Sequence, residues 1–147
     1  MHTPSKILNS LILVILSFGT VSAAEPANNL NKPLAQIQRE FPDCIFWYES
    51  GRGKYYKSAG EGFPIMFEIR NGKVVSEMMI VDGEGNFAWD WFANAVNAFS
   101  KSDYKYVLPS DSKGYHFFYT YFTVFISYDD YSNNASITYE LLPEYVK

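Results

Sequence analysis

His116 is the one histidine beyond the first few residues, and Cys44 is the one cysteine of the chain. A hydrolytic Ser-His-Asp or Cys-His arrangement would need His116 as its base, because such nucleophiles are weak until a neighbour takes their proton. Cys44 sits in the run Cys44-Ile45-Phe46-Trp47-Tyr48, with no basic residue beside it to lower its pKa. It reads as a small buried hydrophobe, and as one cysteine it can form no disulfide within its chain. A zinc centre needs more His or Cys ligands than these two provide. Sixteen acids leave room for a carboxylate pair of the glycoside-cleaving type, with or without His116, but no motif selects one. An extracytoplasmic hydrolase of that kind is the alternative reading; no catalytic set and no cofactor are implied.

Two stretches space oxygens as a metal loop does. Asp82, Glu84, Asn86 and Asp90 match the first, third, fifth and ninth positions of a calcium loop. Phe87 then stands where the bend needs glycine, and Ala93 where a bidentate acid belongs. The run Asp129–Asn133 has the composition of a turn between strands. Asn134-Ala135-Ser136 is formally a glycosylation acceptor. None of these implies a metal site.

The elements that would position such residues read as an α+β domain over 31–147. Asn31 can cap a first helix with Pro33 in its opening turn, Leu34, Ile37 and Phe41 on one face, and Pro42 at its end. Strand-like runs follow over Cys44–Glu49 and Lys54–Ser58. The clearest hairpin is Ile65–Arg70, Asn71-Gly72, Lys73–Val81, since Asn-Gly is the preferred pair for a two-residue type I′ turn. A regular register sets Arg70 against Lys73, Ile69 against Val74, Phe67 against Ser76 and Ile65 against Met78. It assigns Met66, Glu68, Arg70, Glu77 and Met79 to the sheet's second face.

Phe87/Ala88, Trp91/Phe92, Ala95/Val96 and Phe99 recur at helical spacing from Asn86 to about Ser100. Short run Tyr104–Leu108, one long strand Tyr115–Tyr128 and a last strand Asn134–Leu142 complete an antiparallel sheet of six or seven strands. Two helices are expected on one of its faces. Both halves read helix then strands, with Phe63-x-Ile65-x-Phe67 matching Phe122-x-Val124-x-Ile126, which suggests two tandem repeats.

Strand parity in 115–128 supplies the candidate binding residues. Tyr115, Phe117, Tyr119, Tyr121, Thr123 and Phe125 share one parity; His116, Phe118, Phe122, Val124 and Ile126 share the core-like other. If helices cover the second set, Tyr115, Phe117, Tyr119 and Tyr121 line an open face beside Arg70 and Glu77. Tyrosine suits a half-wet surface, and a large apolar patch marks a partner site. The expectation is a non-enzymatic binding or interaction module for a protein, glycan or peptide, with an exported inhibitor or immunity-type protein as its narrower version.

The formal charge is −4, with 12 Lys and Arg against 16 Asp and Glu, and the cations do not cluster. A nucleic-acid ligand, which needs a basic stripe, is therefore not expected. Lys6, the apolar run Ile7–Phe18 and small residues at Val21 and Ala23 have the order of a cleavable secretory signal over 1–23. That apolar run is shorter than the about 20 residues a spanning helix needs, and no cysteine near the cut can take a lipid. The expected product has no stable membrane anchor. It carries a flexible N-terminal arm over 24–30 and is exported to a bacterial periplasm or exterior.

Overall fold

The computed structural model describes residues 29–59, 63–110 and 113–147; the expected leader and most of the arm lie outside them. The chain runs α1 (Leu34–Glu40), β1 (Ile45–Glu49), β2 (Lys54–Ser58), β3 (Ile65–Arg70) and β4 (Lys73–Asp82). It continues with α2 (Phe87–Phe99), β5 (Tyr106–Pro109), β6 (Gly114–Phe118), β7 (Phe122–Asp129) and β8 (Asn134–Leu141). One helix followed by four strands thus occurs twice. All eight strands join one antiparallel sheet in the order β1-β2-β3-β4-β8-β7-β6-β5, so the two halves meet along β4 and β8. The protein is α+β, with one strand more than the upper end of the sequence expectation.

The extra strand arises inside the run 115–128. It is a hairpin that reverses at Tyr119–Phe122, where the Tyr119 N–H donates to the Phe122 carbonyl at 2.9 Å. The reversal swaps parity: Phe117 of β6 pairs with Val124 of β7, and Phe118 with Thr123. Odd residues of β6 therefore share a face with even residues of β7.

Helix α1 starts two residues later than an Asn31 cap would set it. Pro33 occupies the cap position, and Asn31 adopts a left-handed φ of 71° while its N–H donates to the Val74 carbonyl. At seven residues the helix depends on packing. Ile37 is fully buried against Phe67, Ile69 and Val74 of β3 and β4, with Cys44 beside them. Asn29 and Leu30 are held in place as well, and Leu30 packs against both cores.

Helix α2 buries Ala88, Trp91, Phe92, Ala95, Ala98 and Phe99, the expected stripe. These pack on Val81 of β4, Val124 and Ile126 of β7, and Ala135 and Ile137 of β8. Asn86 stands at its cap position without a side-chain capping bond.

The Asn71-Gly72 turn forms as expected, with φ of 51° and 76°. Arg70 faces Lys73 and Ile69 faces Val74, but a bulge between Glu68 and Ile69 shifts the rest of the hairpin. Phe67 meets Glu77 and Ile65 meets Met79, in place of Ser76 and Met78. One extra residue on β4 turns Glu77, Met79 and Val81 toward the helices, and Ser76, Met78 and Ile80 away. Both helices pack on the face bearing Phe67, Val81, Val124 and Ile137. No described helix covers the other.

Candidate functional site

The face that no described helix covers carries two rows of directly opposed residues that cross every strand. The first runs Ile45, Lys57, Met66 and Met78, then crosses the central seam to Thr138, Phe125, His116 and Leu108. The second runs Tyr48, Tyr55, Glu68 and Ser76, then Glu140, Thr123, Phe118 and Tyr106. Opposed residues on antiparallel strands lie about 5 Å apart, and eight strands span about 34 Å, so the rows form a broad slab.

The β5–β7 side of this slab is aromatic. The rings of His116 and Phe118 lie 4.5 Å apart, His116 and Phe125 5.4 Å apart, and Tyr106 stacks on Phe118 at 4.4 Å. Burial among these rings lowers the His116 pKa, with Glu140 pulling weakly the other way, so the imidazole is neutral at pH 7. Nearer β1, Glu68 is buried and accepts from Arg70 Nε at 2.7 Å. Arg52 reaches over the face from the β1–β2 turn, 3.8 Å from Glu68 and 3.4 Å from Glu140. Charges of both signs are therefore interleaved with methionine and aromatic rings.

The slab ends at β1, an edge strand whose five residues are all exposed. Ile45, Phe46, Trp47 and Tyr48 expose 58, 51, 46 and 42% of their surface. Tyr48 stacks on Tyr55 at 4.5 Å, and the Lys57 ammonium lies 5.1 Å from the Trp47 ring centre. Cys44 is buried as expected, but the run that follows it is the most exposed apolar stretch among the described strands.

The residues proposed from parity do not come together. Tyr115 and Phe117 face the helix side, opposite Ile126 and Val124. Phe117 is buried against Phe99 and Tyr104. Tyr119 is buried too; its hydroxyl lies 2.6 Å from the Ser102 hydroxyl, its ring stacks on Phe122, and burial pushes its pKa up to about 12. Tyr121 is exposed in the reversal, edge-on to Tyr145. Glu77 was assigned to the open face; the bulge places it on the helix face opposite Phe67 and Tyr139, where Asn29 donates to it at 3.0 Å. Burial raises the Glu77 pKa to about 7. Of the proposed set, Arg70 alone keeps the company of the open-face residues, through Glu68.

In Tyr119→Phe, losing the Ser102 bond is expected to cost about 1 kcal/mol in urea unfolding, the usual net worth of one hydrogen bond. A cost near zero would mean the pair does not form.

Among the described residues no group of three His, Cys, Asp or Glu side chains is placed to hold a metal. Cys44 is buried, and burial raises its pKa, the opposite of an activated thiol. A cleft of about 520 Å³ between the β1–β2 and β3–β4 turns has Glu49 as its one acid, so no carboxylate pair converges there. No described helix is long and apolar enough to cross a membrane. No family model matches the chain, and neither do the curated proteins or the solved structures with which it was compared.

Proposed function

We propose that this chain is an exported, non-catalytic binding module that docks a protein partner on its uncovered sheet face. The observation that carries the reading is the pair of cross-strand rows, which include Met66, Met78, Phe118 and Phe125 and have no described helix over them. Met, Tyr, Phe, Trp and Arg are the side chains enriched in protein interfaces, and this face and its edge carry all five. A slab about 34 Å wide fits another protein's surface better than a small molecule, which prefers a concave pocket. The leader-like first residues support export.

The test is retention of a co-purifying protein by three forms, each shown to be folded by circular dichroism. Wild type and Tyr131→Ser, altered at a nearly fully exposed turn residue, should retain the same partner. Met78→Ser/Phe125→Ser should lose it. Retention by the double variant overturns the reading, as does a partner released by free glycan or short peptide.

A further inference from the structure

We propose that Trp89, Tyr128 and Asp130 form a binding corner for a quaternary ammonium group, in which the chain's own Lys113 is a displaceable occupant. The corner lies on the helix side of the sheet, because Tyr128 pairs with Ala135 of the core under α2. It is therefore separate from the docking face.

Two aromatic rings make its walls. Trp89, in the first turn of α2, meets Tyr128 of β7 with centroids 5.1 Å apart and 78° between the ring planes. Phe92 backs both, 5.5 Å from Trp89 and 6.2 Å from Tyr128. Trp89 still exposes 39% of its surface, so the corner opens to solvent. Its angle is held from behind. The Tyr128 hydroxyl donates to Asn133 Oδ1 at 2.6 Å, and Asn133 Nδ2 donates to the Gly85 carbonyl at 3.0 Å, which ties the β7–β8 turn to the approach to α2.

What the corner takes is shown by what it holds. The Lys113 ammonium lies 5.1 Å from the Trp89 centroid and 5.8 Å from that of Tyr128, and it donates to Asp130 Oδ1 at 2.8 Å. Both ring distances fall within the about 6 Å over which an aromatic face attracts a cation. Asp130 supplies the countercharge; its neighbour Asp129 is turned into its own loop, accepting from Ser132 at 2.7 Å and from the Tyr131 N–H at 3.0 Å. Lys113 fills this place incompletely. A primary ammonium is strongly hydrated and carries several N–H donors, to which the rings offer no lone pairs. Its side chain is 50% exposed, and an ion pair at the surface is worth little. A quaternary ammonium has no N–H to satisfy, and its methyl groups can cover both rings. Lys113 can swing into water without unfolding its strand, since its carbonyl stays anchored by the Tyr128 N–H at 2.8 Å.

Choline is the probe, titrated into the full chain at constant ionic strength and followed by calorimetry and by the indole resonances in NMR. Wild type should bind it in the millimolar range. Lys113→Ala, which empties the corner, should bind it about fivefold tighter, the order of one exposed cation–π contact. In that background Trp89→Leu, which keeps apolar bulk on Phe92, should abolish binding with an unchanged circular dichroism spectrum. Asp130→Asn, at a surface turn, should weaken it about threefold, as for an exposed ion pair. Neohexanol, the neutral isostere of choline, should not bind. Phosphatidylcholine vesicles carry the same headgroup: co-sedimentation that Trp89→Leu removes names a lipid as the natural source, and its absence names a free solute. The proposal is overturned if Lys113→Ala binds no choline or binds it no tighter than wild type. It is equally overturned if Trp89→Leu and Asp130→Asn leave the affinity unmoved, or if neohexanol binds as well as choline.

Discussion

Replacing Phe67 by alanine is expected to cost about 3–5 kcal/mol, the range for removing a buried phenylalanine whose surroundings cannot close over the gap. Phe67 is fully buried on β3, its ring 5.2 Å from Phe41, in a small core with Ile37, Cys44, Ile69 and Val74. A seven-residue helix has few other contacts to absorb the loss. Domains of this size have about 5–15 kcal/mol in all, so the variant should stand near its unfolding threshold. The damage should be uneven. Amide exchange should accelerate most in α1 and β1–β3, and least in β7 and β8, which lie under the larger core. A cost below about 1.5 kcal/mol, within the range of a tolerated core swap, would show that the first half is not held by this ring.

Glu77→Gln should abolish most of the fall in stability that the protein shows between pH 5 and pH 8. The Glu77 pKa is raised from 4.5 to about 7, chiefly by burial, while the Asn29 bond and Lys32 oppose the shift. Between those two pH values the folded protein holds a proton that the unfolded chain has released. Stability is therefore full below about pH 4.5 and is lost as pH rises through 7. At about 1.4 kcal/mol per unit, the loss is at most about 3 kcal/mol. Glutamine carries no such titration, so the variant should match wild type near pH 4 and exceed it at pH 8. Urea unfolding of both proteins at the two pH values measures the difference directly. A wild-type-to-variant gap that stays constant with pH would mean that Glu77 ionises freely. Tyr139, buried opposite it, has its own pKa raised well above 10 by burial and by this neighbouring carboxyl, so it adds nothing in this range.

Much of the architecture was legible because local chemistry decides it. The spacing from Phe87 to Phe99 and the Asn71-Gly72 turn each had one good solution, and both formed. What escaped was parity, which depends on events one residue long. Nothing in Tyr119-Thr120-Tyr121-Phe122 has usual turn chemistry, since it lacks Gly, Asn and Pro, so two strands read as one and Tyr119 was given the wrong face. The bulge at Glu68/Ile69 likewise moved Glu77 from open face to helix face. The exposure of Ile45–Tyr48 was illegible for a different reason. A strand apolar on both faces normally belongs in a sheet's middle, and only strand order, a property of the whole fold, places this one at the margin.

The meeting of β4 with β8 has a consequence for the chain as a divisible object. Seven residue pairs, from Ser76 with Glu140 to Asp82 with Asn134, bind the two halves, while the covalent crossing is the brief link Gly83–Asn86. A nick there would leave two fragments, each ending in a bare inner strand that only the other can complete. The first fragment also holds Phe63 and Val81, which the larger core requires. The smaller core stays whole in the first piece, but the larger one is divided between the two, so the second piece needs the first as its template, and the fold has the makings of a split reporter.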